Sequence, residues 1–346
     1  MRGHLRGTWL AAGAAVLVAA AAVLVAFLVP GPSSSHPAPH PTRTATLPHS
    51  AGPASPARGA YFGAWVSPTV YAAGKYTQQD RVLAVDSLQK TIKRRLDIVH
   101  IYLTQNGQFP TSSDMAFVNQ GSTLLVSWAL NNSRAVAKGK YDVSIIERAR
   151  EIKKIGKPVF LEWRWEMDRP NLKAQVGSPA EYIAAWKHIR EVFAQQGVTN
   201  VAWVWCPTSK GFTNGTAGAY YPGDSEVDWI CADAYPPAGP LRPFATVAGP
   251  FLRWAAHHPS KPVMIGEYGV QGVYSPTERA QWLRAAARTV AANRQIKALV
   301  YFDGPGAGQS TTVLNGGPLQ AFAGIAGDSH FNPRGIGLTS AAGRGA

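Results

Sequence analysis

The chain is poor in cysteine, in acidic residues and in charge altogether. Of its 346 residues only two are cysteine, Cys206 and Cys231. Two thiols make no disulfide framework, and these two lack the paired spacing of a zinc site. Neither bridges nor a structural metal can therefore carry the fold; a buried apolar core must. Both cysteines fall on neighbouring predicted strands. Bridging needs matched Cβ directions that a sequence does not carry, so two buried free thiols are expected. Asp and Glu number 20 against 34 Lys and Arg, a net charge of +14. Residues 1–58 contain four arginines and no acid, which leaves +10 for the remainder. The cations are dispersed. No dense basic run or nucleic-acid motif is present, so a nucleic-acid partner is not expected. A scattered positive excess suits a basic surface that meets an anionic membrane or wall polymer favourably.

What is abundant is apolar surface. Trp9 to Val29 runs without a charge behind Arg2 and Arg6. A bilayer is crossed by ~20 such residues, and secretory signal cores are usually shorter. Residues 1–29 are thus expected to be a transmembrane signal anchor or a signal peptide, with the basic end cytoplasmic. The rest of the chain is then exported, and held at the membrane when the segment is uncleaved. Residues 30–58 are dense in Pro, Ser, Ala and Thr with no hydrophobic period. They read as a disordered, semi-extended linker. Residues 59–346 form one further domain.

In that domain strand-like and helix-like stretches alternate. Strands are predicted at 61–66, 97–103, 123–128, 159–166, 200–206, 227–235, 262–267 and 296–302. Helices are predicted near 80–95, 143–155, 179–195, 243–257, 276–292 and 318–325, with the second and fifth connections less regular. Ser178-Pro179-Ala180-Glu181 and Ser275-Pro276-Thr277-Glu278 are capping boxes with proline in the first turn. Eight strands with mostly helical crossovers predict an α/β fold of the (β/α)8 TIM-barrel class.

Two of the strands end alike. Residues 158–168, PVFLEWRWEMD, run apolar into Glu166 between tryptophans, and residues 262–269, PVMIGEYG, end on Glu267. Barrel active sites gather at the C-terminal ends of strands. Glycoside hydrolysis needs one carboxyl to protonate the leaving oxygen and a second to act at the anomeric carbon. Strict alternation puts Glu166, Arg164 and Glu162 on one face, where Arg164 and Glu162 are expected to pair. It puts Glu267 on one face with Ile265 and Val263. Trp65, Trp128, Trp165, Trp205, Tyr235 and Tyr301 also fall at strand ends. Sugars present C–H faces that stack on such rings. Asp168, Asp233 and Asp303 near the same rim are candidates for hydroxyl binding.

Taken in order, several blocks resemble glycoside hydrolase family 26, the β-mannanase-like family. They are 139–142 GKYD, 156–161 GKPVFL, 165–168 WEMD, 203–205 WVW, 221–224 YPGD, 227–230 VDWI and 265–269 IGEYG. The resemblance runs from about residue 60 onward. It implies a retaining (β/α)8 glycosidase with Glu166 as acid/base and Glu267 as nucleophile. It also implies that Tyr235 contacts the nucleophile, and that no cofactor or metal is required. Three positions depart from the family pattern. Trp165 stands for a histidine before the acid/base, Glu162 for an arginine four residues before it, and Tyr301 for a strand-8 tryptophan. The substrate residues expected are Trp65, Trp128, Arg164, Trp165, Asp168, Trp205, Asp233, Tyr235 and Tyr301. The function implied is an exported, monomeric endo-β-glycosidase acting on a polysaccharide, with β-1,4-mannan the first candidate. Alternatives are a mixed-linkage β-glucanase, a wall-glycan hydrolase of the same fold, or a non-catalytic glycan-binding barrel.

Overall fold

A computed structural model of the protein describes residues 51–71, 76–305 and 311–335. The predicted anchor and the linker up to residue 50 lie outside the described residues. Among those described, no helix is long and apolar enough to cross a membrane. Eight parallel strands pair in sequence order and close: β1 Tyr61–Val66, β2 Ile98–Thr104, β3 Thr123–Ala129, β4 Val159–Trp163, β5 Val201–Trp205, β6 Trp229–Ala234, β7 Val263–Tyr268 and β8 Ile296–Asp303. The helices are α1 Pro68–Tyr71, α2 Gln78–Ile92, α3 Ser112–Asn119, α4 Ser133–Ala137, α5 Asp142–Ile155, α6 Lys173–Val176, α7 Pro179–Gln195, α8 Ser209–Thr213, α9 Phe244–Ala255, α10 Pro276–Ala292 and α11 Gly316–Ala326. The expected (β/α)8 barrel is present. Its fifth crossover is the thin one, with only α8 and short 3-10 turns between β5 and β6.

Local chemistry explains the helix starts. Thr77, Thr111, Ser178 and Ser275 each accept the backbone N–H three residues on, and the acid at that position returns the bond. Behind its cap, α7 buries Tyr182, Ala185, Trp186, Ile189 and Phe193 on one stripe against the barrel. Each large side chain so buried contributes roughly 1.5–3 kcal/mol. Strand alternation sorts residues into two cores. Tyr61, Ile98, Leu125, Phe160, Ala202, Trp229, Met264 and Ala298 fill the barrel interior. Val159, Leu161, Val263, Ile265 and Leu299 face the helices.

The interior also holds Cys206 and Cys231, which form a disulfide joining the end of β5 to β6, with Cα atoms 4.3 Å apart. Free thiols were the expectation. The correction arises because both side chains turn inward from adjacent strands, which brings their Cβ vectors together. Gly266 on β7 passes directly beside this bridge. A Cβ there would meet Cys231 Sγ at 2.5 Å and Cys206 Sγ at 2.9 Å, so glycine is required at that point.

The end of the predicted linker reaches the opposite, N-terminal rim. Ala51 N donates to Thr199 O at 2.6 Å, Trp229 Nε1 to Pro53 O at 3.2 Å, and Tyr61 Oη to Ala54 O at 3.0 Å. Residues 51–54 thus cover the bottom of the barrel, and the chain enters on the face away from the mouth.

Candidate active site

Two local breaks in strand geometry build the mouth. β4 stops at Trp163, three residues short of the predicted end. Arg164 and Glu166 then take left-handed conformations, with φ of 48° and 52°. Such backbone costs roughly 1–2 kcal/mol for a residue with a Cβ, and neighbouring strands hold it. Arg164 N donates to Trp128 O at 3.0 Å and Glu166 N to Cys206 O at 2.7 Å. The turn carries Glu166 over the top of β5. It also sends Arg164 away from Glu162, correcting the expected pair. Arg164 is buried and donates to Gln175 Oε1 at 2.6 Å. Glu162 remains inside, bonded by the Ser127 hydroxyl.

On β7 the pairing with β6 slips by one residue, so Ala232 faces Ile265 but Asp233 faces Glu267. This bulge reverses the parity expected beyond Ile265. Ile265 stays in the outer core, while Glu267 turns into the mouth. There Tyr102 Oη donates to Glu267 Oε1 at 2.6 Å and Tyr235 Oη to Oε2 at 2.8 Å. Burial, then the charge of Glu166, pushes the Glu267 carboxyl up to about 7, against the pull of the two hydroxyls. Glu166 is also raised by burial, but Arg169 opposes the shift from 2.5 Å. Burial holds both tyrosines well above the ordinary phenol range, so they keep the protons they donate.

Beneath Glu267 lies a buried polar chain. His100 Nε2 lies 2.7 Å from Ser127 Oγ, and His100 packs under Tyr102 with ring centroids 4.4 Å apart. Burial lowers His100 to about 3, so it is neutral. Burial raises Glu162 to about 8, with the charge of Glu267 among the further causes. Asp233 is raised well above the carboxylate range, again first by burial and then by Glu267. One Asp233 oxygen is buried without a partner. Among the described residues, Glu162, Cys206 and Cys231 bring possible metal-ligand atoms within 4.8 Å. The two sulfurs are bonded to each other, so this trio offers a single carboxylate.

The aromatic candidates divide. Trp65 stacks on Phe302 at 4.3 Å and meets Tyr102 edge-on at 5.8 Å; Trp165 lies 5.2 Å from Tyr102. These rings pack around Tyr102, the donor to Glu267, and stay partly exposed. Trp128, Trp205 and Tyr301 do not line the mouth; at 0%, 0% and 1% exposure they belong to the outer core. Tyr301 donates to Thr312 O at 2.5 Å, and its neighbour Phe302 takes the inward position. The three follow from parity, since each lies one residue out of step with an inward one. Asp168 accepts from Thr208 N at 2.8 Å and Thr208 Oγ1 at 2.5 Å, fastening the start of α8. Asp303 is buried between the Tyr71 hydroxyl and Leu314 N. Both acids have structural partners and are not free for hydroxyls. Sequence reading missed Tyr102, Arg169 and Phe302. Tyr102 was signalled by its two-residue spacing from His100, and Arg169 by standing three after Glu166. A cleft of about 930 Å³ opens from Glu166, Asp233 and Tyr235 outward over α8 and α9.

The glycosyl hydrolase family 26 model matches residues 161–251. Endoglucanase H of Acetivibrio thermocellus is 31% identical over 188 residues, which cover 51% of this chain and 20% of that protein. β-1,3-xylanase TXYA of a Vibrio species is 28% identical over 172 residues, 47% of this chain and 33% of its own. The chain thus aligns with a fifth to a third of the length of these relatives. Among solved structures, a Cellulomonas fimi endo-β-1,4-mannanase double mutant superposes with TM-score 0.61 at 18% identity, covering 79% of this chain and 71% of that one. The GH26 β-mannanase from Bacteroides ovatus gives 0.60 at 15% identity, covering 80% and 90%. At such identities the superpositions speak for the fold. The family model spans the end of β4, β5, β6 and most of α9, including Glu166 and Tyr235, and with these relatives it shows that the chain resembles glycoside hydrolase family 26.

Proposed function

We propose that this chain is an exported, endo-acting retaining β-glycosidase with Glu166 as acid/base and Glu267 as nucleophile. The observation that supports this is the meeting of two carboxylates at one barrel mouth, Glu267 buried and Glu166 partly so, each with a different kind of partner. Glu267 has both oxygens engaged by hydroxyls that stabilise its anion. It is the group to attack the anomeric carbon. Glu166 is held by a single arginine whose side chain is 44% exposed. Once Arg169 swings aside, burial favours the protonated carboxyl, fit to protonate the leaving oxygen. The same group then deprotonates the water that releases the sugar. Trp65, Trp165 and Phe302 supply apolar faces for the ring being cleaved.

The substrate we favour is a β-1,4-mannan, since solved structures with this barrel include β-mannanases. A β-glucan is the second reading, supported by the 31% identity to an endoglucanase. The apolar segment before residue 30 and the Cys206–Cys231 bridge, a bond kept in oxidising compartments, support an extracellular protein, tethered or released. Hydrolysis of mannan, lichenan, β-1,3-xylan and bacterial wall glycans, with the anomer of the first product read by NMR, tests both points. Trapping Glu267 with an activated fluoro-sugar, read by mass spectrometry, is expected. Normal turnover in a Glu267→Ala variant would sink the assignment.

A further inference from the structure

The large cleft is lopsided about the two carboxylates. It is lined by Glu166 but not by Glu267. An acid/base touches the oxygen of the leaving group, so a cleft that continues from Glu166 receives the leaving-group part of the glycan. Among the described residues its carboxylates are Glu166 and Asp233, which stand at the inner end. The outer part carries Lys210, Arg242 and Arg253. All three are exposed. Among the described residues none of them is in an ion pair or donates a side-chain hydrogen bond.

The three cations stand on a firm frame. Lys210 is on α8, whose first residues are fastened to Asp168 through Thr208. Phe212 of α8 packs 5.0 Å from Phe251 and 5.3 Å from Trp254 of α9. On α9, Thr246, Pro250 and Arg253 lie four and three residues apart and so share one face, the face that lines the cleft. Phe244, Ala248, Phe251 and Ala255 are buried behind it. Charges without internal partners, displayed on rigid elements around an apolar floor, fit a ligand that brings both sugar faces and anions.

We propose that this cleft binds the leaving-group side of an anionic glycan, a β-linked chain carrying carboxylate or phosphate substituents, with Lys210, Arg242 and Arg253 as counter-charges. The inference rests on the glycosidase reading and narrows its substrate class. Exposed pairs of this kind are individually weak and screened by salt. Together three give a preference of about tenfold at low ionic strength.

The test uses the full chain carrying Glu267→Ala, in affinity electrophoresis against β-1,4-glucomannan in unmodified, carboxymethylated and phosphorylated forms. An anionic form is expected to bind about tenfold more tightly than the neutral one in low salt, the gain shrinking in high salt. Adding K210E, R242E and R253E together should abolish that gain, so that the anionic forms bind no more tightly than the neutral one. A control triple, K90E with K154E and K187E, makes the same change in net charge away from the cleft and should keep it. Preference for the carboxymethyl form alone assigns carboxylate substituents; preference for the phosphorylated form alone assigns phosphate ones. Equal binding of all forms overturns the proposal, and so does an equal loss in the control triple. Hydrolysis by the unsubstituted chain is measured in parallel. Turnover of neutral glucomannan without anion preference removes only the cleft proposal, whereas no turnover of any form, nor of mannan, lichenan, β-1,3-xylan or wall glycans, removes the glycosidase reading.

Discussion

At the end of β7, Glu267 sits on a bulge, 7% exposed, with both oxygens engaged by buried tyrosine hydroxyls. At the end of β4, Glu166 sits on a left-handed turn, with one oxygen on an arginine that is 44% exposed. Both carboxyls are raised by burial. The partners differ in what they can do. A tyrosine packed among rings cannot leave, so it fixes the direction of the carboxylate and favours its anion. A long, half-exposed arginine can swing away and let its partner change protonation within a turnover. The rigid arm suits a nucleophile and the loose arm suits a proton carrier.

Breaking the rigid arm outright gives the largest effect. Glu267→Ala is expected to lower kcat by at least ~10⁴-fold with the fold retained, checked by initial rates and circular dichroism. Glu166→Gln follows, at about 10²–10⁴-fold. On aryl glycosides whose leaving group needs no proton the loss in kcat/KM should be small while kcat stays low, because the water-activating step has lost its base; an equal loss of kcat/KM on both substrate types would count against the acid role. Removing one hydroxyl from the rigid arm, by Tyr102→Phe or Tyr235→Phe, should cost about tenfold in kcat. Each also raises the Glu267 pKa, because a donor to the anion is lost, so the acid limb of the pH profile moves to higher pH.

Sharpening the loose arm gives smaller effects. Arg169→Met removes the cation that holds Glu166 down. Glu166 then stays protonated to higher pH, and the alkaline limb of kcat should move upward; a downward move contradicts the arrangement. The smallest effect is on stability below the site. Glu162 in the folded protein is raised to about 8, so the native state binds a proton that the unfolded chain releases near its ordinary ~4.3. Stability from this group is therefore lost as pH rises between those values. Glu162→Gln should leave Tm nearly unchanged at pH 4 and raise it by roughly 3 °C or more at pH 8.5, read by calorimetry.

Much of this is legible in the residues alone. The strand order, the two capping boxes and the glutamate at the end of each arm follow from patterns within a dozen residues. Which aromatics reach the mouth did not follow. Tyr301 and Phe302 are both aromatic at the end of β8, and only register decides which is inward. Trp128 and Trp205 look like Trp65 in sequence and sit on the other face. Arg164 was paired with Glu162 by alternation, and the left-handed turn after Trp163 undid the alternation.

The sequence by itself determined a closed run of eight strand–helix units and the carboxylates that its strands deliver to one rim. Hydrophobic period and cap chemistry are local, and closure follows once every strand is apolar on both faces. Only the tertiary structure decided the bulge at Gly266, the turn at Glu166 and the joining of Cys206 to Cys231. Each depends on hydrogen bonds or close approach between strands distant in the chain, and one residue of slip there turns a side chain from core to mouth.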